Sequence, residues 1–167
     1  MASQAFHRFT YHLPPPAETL AILVGCLEVT IFGLGGLANI PEFAKAYGLP
    51  LVATTSQARA NVGPSEMSQA DAKETAKEDK RQEAWIMSTV ARNIQNGCVI
   101  LALGLYVRDR RALGIAMVAN LITTTSDALI VSKYGVEETF WGHVFGMANS
   151  VLIGGSLLYW KRGDPWW

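Results

Sequence analysis

Four stretches of this chain, at about 17–38, 84–107, 111–132 and 139–160, each run for some twenty residues with very few charges. A bilayer core about 30 Å thick is crossed by about 20 apolar helical residues. The chain therefore reads as all-α: one integral membrane domain over 1–167, built as a four-transmembrane-helix bundle. A long polar loop, about 41–67, joins helices 1 and 2.

Charge placement agrees. Charged residues make up 17% of the sequence, and many gather between 66 and 83. That stretch, SQADAKETAKEDKRQEAW, is rich in helix formers, so segment two is expected to extend outward as one helix from about 68 to 107. Its charges read as a solvated helix face, or as a lid over a site on that side. The formal net charge is zero, which argues against a nucleic-acid partner. Cys26 and Cys98 lie in apolar runs with no CxxC or Cys/His neighbourhood and read as packing residues. Segment one is too long and too Gly-rich for a cleaved signal core, and the Pro14–Pro16 tract leads into its first turn.

Aromatic residues mark the boundaries. Trp85 opens segment two, Phe140 and Trp141 open segment four, and Tyr159 and Trp160 close it; Trp166 and Trp167 are placed at the same interface. In the first connection, PEFAKAYGLPL is a short amphipathic piece that Gly48 and Pro50 break. The positive-inside pattern of the short turns favours both termini in the cytoplasm, the Lys and Arg residues of the long first loop oppose it, and the expected compartment is the endoplasmic reticulum.

An ionisable side chain inside a span is expensive unless it is paired or faces a wet cavity. Away from its ends, each span has one: Glu28, Arg92, Asp127 and His143. At about 1.5 Å per residue, Arg92 sits about 12 Å from the loop-side face, Asp127 about 8 Å, His143 about 6–8 Å and Glu28 about 15 Å. All four fall in one half of the bilayer. They also lie on polar stripes: Asn120, Thr123, Thr124 and Asp127; Arg92 and Asn96; Thr139, His143, Gly146 and Ser150; Gly25, Glu28, Phe32, Gly35 and Asn39. Asn93, Gln95 and Asn149 point elsewhere and read as interhelical glue, and Gly142-xxx-Gly146 reads as a close helix approach.

Arginine keeps its proton, so it counters one carboxylate and leaves a second to serve as acid. Two carboxylates and a guanidinium in an apolar pocket suit general acid–base work on an uncharged lipophilic substrate. Epoxide opening fits, the acid protonating the ring oxygen while the base activates water or a hydroxyl. Soluble epoxide hydrolases of the limonene-epoxide type use a carboxylate–Arg–carboxylate set, an analogy of chemistry. The candidate catalytic residues are Asp127, Glu28, Arg92 and His143, with His143 as proton shuttle or water-positioner. Asn96, Asn120, Thr124 and Trp141 are candidates for substrate binding. Which carboxylate is acid and which is base stays open. No metal and no cofactor is expected, since an Arg among Glu28, Asp127 and His143 repels a cation. Blander readings stand beside this one. Arg92–Asp127 is also a plausible structural ion pair, and His143 a hydrogen-bonded core histidine. The whole bundle could be a lipid- or proton-binding module or a structural subunit. The expected partners are a lipophilic small molecule and the bilayer, with a homodimer left open.

PEFAKAYGLPL, ARNIQNGCVILAL, RDRRALGIAMVANLITTTSDALIV and FWGHVFGMA together resemble a family of small four-span membrane proteins of unknown function. The shared pattern is an Arg-Asn in span two (Arg92, Asn93), an Arg-Arg-Ala-Leu-Gly opening span three (Arg110 to Gly114), a late Asp (Asp127) and an early His in span four (His143). The resemblance covers about residues 20–160. The charged insertion at 56–83 resembles fungal members more than bacterial ones. It implies a four-span fold and, through fungal relatives in polyketide or terpenoid gene clusters, hydrolysis or cyclisation of epoxides in secondary metabolism.

Overall fold

The structure is a computed structural model that describes residues 16–51 and 69–159. Expectations about Pro14–Pro15, the 52–67 loop and the closing Trp160, Trp166 and Trp167 lie outside those residues. The described chain is all-α. Helix α1 spans Pro16–Ala38, with a wider, π-helical stretch over Glu28–Gly35. Helix α2 spans Ile40–Tyr47, α3 spans Gln69–Leu101 and continues as a π-helical stretch over Ala102–Val107, α4 spans Arg110–Tyr134 and α5 spans Glu137–Tyr159. Among the described residues, three helical stretches are long and apolar enough to cross a membrane: Pro16–Ala38, Lys80–Val107 and Arg110–Tyr134. α5 has the length but is not among these three; His143, Asn149 and several Ser and Gly residues interrupt its apolar run.

The caps follow from local chemistry. Asn39 leaves the helical region and its side chain accepts from Glu42 N–H, opening α2 with Pro41 in its first turn. Asp109 Oδ1 accepts from Arg111 and Ala112 N–H and starts α4. Gly48 ends α2 at φ 97°, a left-handed backbone that suits glycine.

Within the expected loop of about 41–67, the amphipathic piece read from PEFAKAYGLPL is the helix α2, ended at Gly48. Ala44 and Leu51 are buried and pack with Ile86 and Val90 of α3. The amphipathic pattern of PEFAKAY gives α2 an apolar face, and that face covers the flank of α3.

Two helix pairs form the bundle. α1 lies on α3, where a Cβ on Gly97 would come within 2.7 Å of the Gly25 carbonyl oxygen. α4 lies on α5, where a Cβ on Gly154 would meet Val118 N at 3.1 Å and Gly114 O at 3.2 Å. Gly142, by contrast, faces open space, so the expected Gly142-xxx-Gly146 approach is replaced by the Gly114–Gly154 crossing. The pairs join in an apolar cluster of Ala21, Ile100, Leu113, Met117, Ile153 and Leu157. A buried Glu18–Arg110 bridge, 2.9 Å, reinforces that end, and Arg110 also donates to the Ser156 carbonyl at 3.1 Å. Cys26 and Cys98 are free thiols on the exposed outer surface, not in the core.

The predicted α1 stripe is also corrected. The π-helical turns bond i to i+5 and shift the register, so Gly33 and Gly36 turn inward while Phe32, Gly35 and Asn39 are exposed.

Candidate functional site

Between the two apolar clusters lies a polar belt to which all five helices contribute. The close Gly25–Gly97 approach brings Glu28 against α3, its Cβ 2.9 Å from where a Gly97 Cβ would stand. Five residues before Gly97 on α3, Arg92 reaches across to α4. Its Nη1 and Nη2 donate to Asp127 Oδ1 and Oδ2 at 2.9 and 2.7 Å, a bidentate pair. Asp127 is 8% exposed. Asn96 Nδ2 donates to Asn120 Oδ1 at 2.8 Å, and Thr123 Oγ1 donates to the same oxygen at 2.8 Å. That leaves the Asn120 amide N–H₂ for Glu28, within hydrogen-bonding reach.

Tyr47, the last residue of α2, lies over this belt, and its phenol stands close to Asp127 and Arg92. Burial, with the Asp127 carboxylate beside it, pushes the phenol above its usual range. His143 does not bond a carboxylate. Its Nε2 meets the Tyr47 carbonyl oxygen at 3.2 Å, and its ring lies edge-on to the Tyr47 ring, centroids 4.9 Å apart. Gly48 follows, its carbonyl accepting from Val136 N–H at 3.0 Å, so the end of α2 is tied to the α4–α5 turn.

The family described as domain of unknown function (DUF4267) matches residues 26–157. The chain belongs to this family. The DUF4267 segment contains every residue of the belt, whereas Glu18 of the buried bridge lies outside it. No curated protein and no solved structure matches the chain.

In this DUF4267 chain the fold brings together Glu28, Arg92, Asn96, Asn120 and Asp127, all singled out in the sequence, with His143 one residue removed behind Tyr47. Thr124 borders the belt, but its hydroxyl donates to the Asn120 carbonyl at 3.0 Å and its methyl faces Gly146. Trp141 stands apart, 68% exposed and edge-on to Phe140. That setting suits the interfacial anchor also read from the sequence. Asn93, expected as glue, is buried and donates to the Phe32 carbonyl at 3.5 Å. Among the described residues no three His, Cys, Asp or Glu side chains gather closely enough to hold a metal ion.

Tyr47 was missed in the sequence. The usable signal was there: a tyrosine in the last turn of an amphipathic segment, directly before a helix-ending glycine. So was Glu18, which opens α1 four residues before Ile22 and finds Arg110 only through the packing of α1 against α4 and α5.

The belt's chemistry divides cleanly. The Arg92 fork is committed to Asp127. Glu28 forms no salt bridge among the described residues and faces an amide. Two carboxyls in unlike settings, with a phenol beside one of them, are the elements of acid–base chemistry.

Proposed function

We propose that this chain is a four-span membrane enzyme that opens a lipophilic epoxide by acid–base catalysis, through hydrolysis or intramolecular cyclisation. The setting would be fungal secondary metabolism at the endoplasmic reticulum. The observation that carries this reading is the Glu28–Asp127 contrast. One carboxyl is held by a guanidinium, while the other sits in a span without an ion-pair partner among the described residues. An ionisable group left in that state inside a span is a functional feature by default.

The fourth span has its own support. Exposed Trp85 and Tyr106 on α3 stand about 32 Å apart at about 1.5 Å per residue, and exposed Trp141 and Tyr159 on α5 about 27 Å. Both match an apolar core of about 30 Å with aromatic rings at its two faces. Counted from Trp85 and from exposed Tyr134, Arg92 and Asp127 each lie about 10 Å deep. That depth suits a substrate that partitions into lipid.

In the reaction one carboxylate takes a proton from water or from a substrate hydroxyl. The new C–O bond forms as the epoxide C–O bond breaks, and the other carboxyl gives its proton to the departing oxygen. Proton return between the two restores the site, and Arg92 balances the charge throughout. Asn96 and Asn120 orient the nucleophile.

A second reading has one observation in its favour. The direct bidentate Arg92–Asp127 pair is also what a structural bundle would use to join its helix pairs. The deciding experiment gives purified protein a panel of long-chain epoxides in ¹⁸O-labelled water. Hydrolysis puts one label in a diol, and cyclisation yields an unlabelled isomer. No conversion of any member removes the epoxide reading and leaves the structural one.

A further inference from the structure

The Tyr47 side chain is fixed from several directions. Its ring lies between Phe43, with centroids 5.9 Å apart, and the edge of His143, at 4.9 Å. Its carbonyl faces His143 Nε2 at 3.2 Å. Immediately after it the chain turns left-handed at Gly48, which is bonded to Val136. The phenol O–H can rotate about its C–O bond. That group stands beside Asp127 and Arg92. Arg92 Nε is buried and has no acceptor among the described residues. A buried donor without an acceptor is costly to keep, and an oxygen entering the belt would relieve it.

We infer that Tyr47 donates the hydrogen bond that holds the oxygen of the opening epoxide, and that His143 acts as its positioning residue, an assignment that rests on the acid–base reading above. As the nucleophile bonds to carbon and the ring C–O bond breaks, negative charge gathers on the departing oxygen. The Tyr47 O–H turns toward that oxygen, a pre-placed donor aimed at developing charge. The acid carboxyl supplies the proton that ends there, and the base carboxylate holds the one taken from the nucleophile. Tyr47 is protonated before and after, so it adds no step to the proton balance. The upward shift of its phenol suits a donor that does not ionise.

The test is Tyr47→Phe, which keeps the ring between Phe43 and His143 and removes the O–H. With epoxydodecane as substrate, kcat should fall about 10²–10³-fold, the usual effect of losing one such donor. KM and melting temperature should be nearly unchanged. His143→Leu should lower kcat in the wild-type background and add little in the Tyr47→Phe background, because residues that act as a unit are non-additive. Wild-type kcat in Tyr47→Phe, with Asp127→Asn inactive, would overturn the donor assignment and leave the acid–base reading in place. If the wild type converts no epoxide, the acid–base reading falls, and the donor is then tested by binding of dodecanamide, whose carbonyl oxygen is an acceptor. Binding about 10-fold weaker in Tyr47→Phe supports the donor assignment. Equal binding in the two proteins, or none in either, overturns it.

Discussion

Replacing Arg92 by leucine removes the fork from Asp127. Both Asp127 oxygens lose charged donors now at 2.9 and 2.7 Å, and the carboxylate stays buried between α3 and α4 with the Tyr47 phenol beside it. Breaking one partner out of a buried pair costs about 3–5 kcal/mol. The Arg92 side chain is 29% exposed, which sets this pair at the lower end, about 3 kcal/mol. At about 2–4 °C per kcal/mol for a chain of this size, the midpoint should fall by about 6–12 °C. Adding Asp127→Asn to Arg92→Leu removes the stranded charge. The double variant should therefore be more stable than the sum of the two single losses implies, with a coupling of about 1–3 kcal/mol. The assay is thermal unfolding of wild type, both single variants and the double variant in one detergent, followed by tryptophan fluorescence. Additive losses, or Arg92→Leu melting with the wild type, would refute the claim that this pair joins the two helix pairs.

Three further outcomes follow from the same geometry. Gly48→Ala should lower both stability and turnover, because the left-handed backbone costs an L-residue about 1–2 kcal/mol and the new Cβ would run into the Thr139 side chain; wild-type melting and turnover would contradict the tie between α2 and the α4–α5 turn. Tyr47 has a folded pKa above its ordinary value of 10.0, so its contribution to stability is complete below about pH 10 and is lost as pH rises through the folded pKa; the alkaline fall in melting temperature should be shallower in Tyr47→Phe, and identical profiles would contradict its buried placement. In a variant lacking Cys26 and Cys98, single cysteines at Lys45 and Glu137 should label from one side of sealed vesicles and one at Asp109 from the other; labelling of all three from the same side would remove α3 and α4 as spans.

Much of this was readable from residue pattern because lipid imposes simple rules. Long apolar runs had to be helices, Gly48 and Pro50 had to break the piece after the first of them, and Asn120, Thr123, Thr124 and Asp127 had to share a face. Antiparallel runs with charges at similar depths then had to bring Arg92 near Asp127. What escaped depended on how elements fold back. Tyr47 lies in a connecting segment, where no span depth can be assigned, and reaches the belt only because Phe43 and Ala44 cover α3. The register of α1 after Glu28 changed because its π-helical turns do not follow a 3.6-residue period, and a stripe drawn at that period misplaced Phe32 and Gly35. Gly142 and Gly146 had the spacing of a helix crossing, but crossing depends on what stands opposite, and Val118 and Leu158 stand opposite Gly154 and Gly114 instead.

The most direct test of the acid–base account is turnover in Asp127→Asn, Glu28→Gln and the double variant, with melting measured beside each. Both substitutions keep size and remove the titrating carboxyl. The account predicts folded proteins whose kcat on a long-chain epoxide drops by about 10²–10⁴-fold, the usual effect of losing a general acid or base, with the double variant little worse than either single one. Unchanged turnover in both single variants, with melting temperature lowered in each, would contradict it and leave Glu28 and Asp127 as structural residues of the bundle.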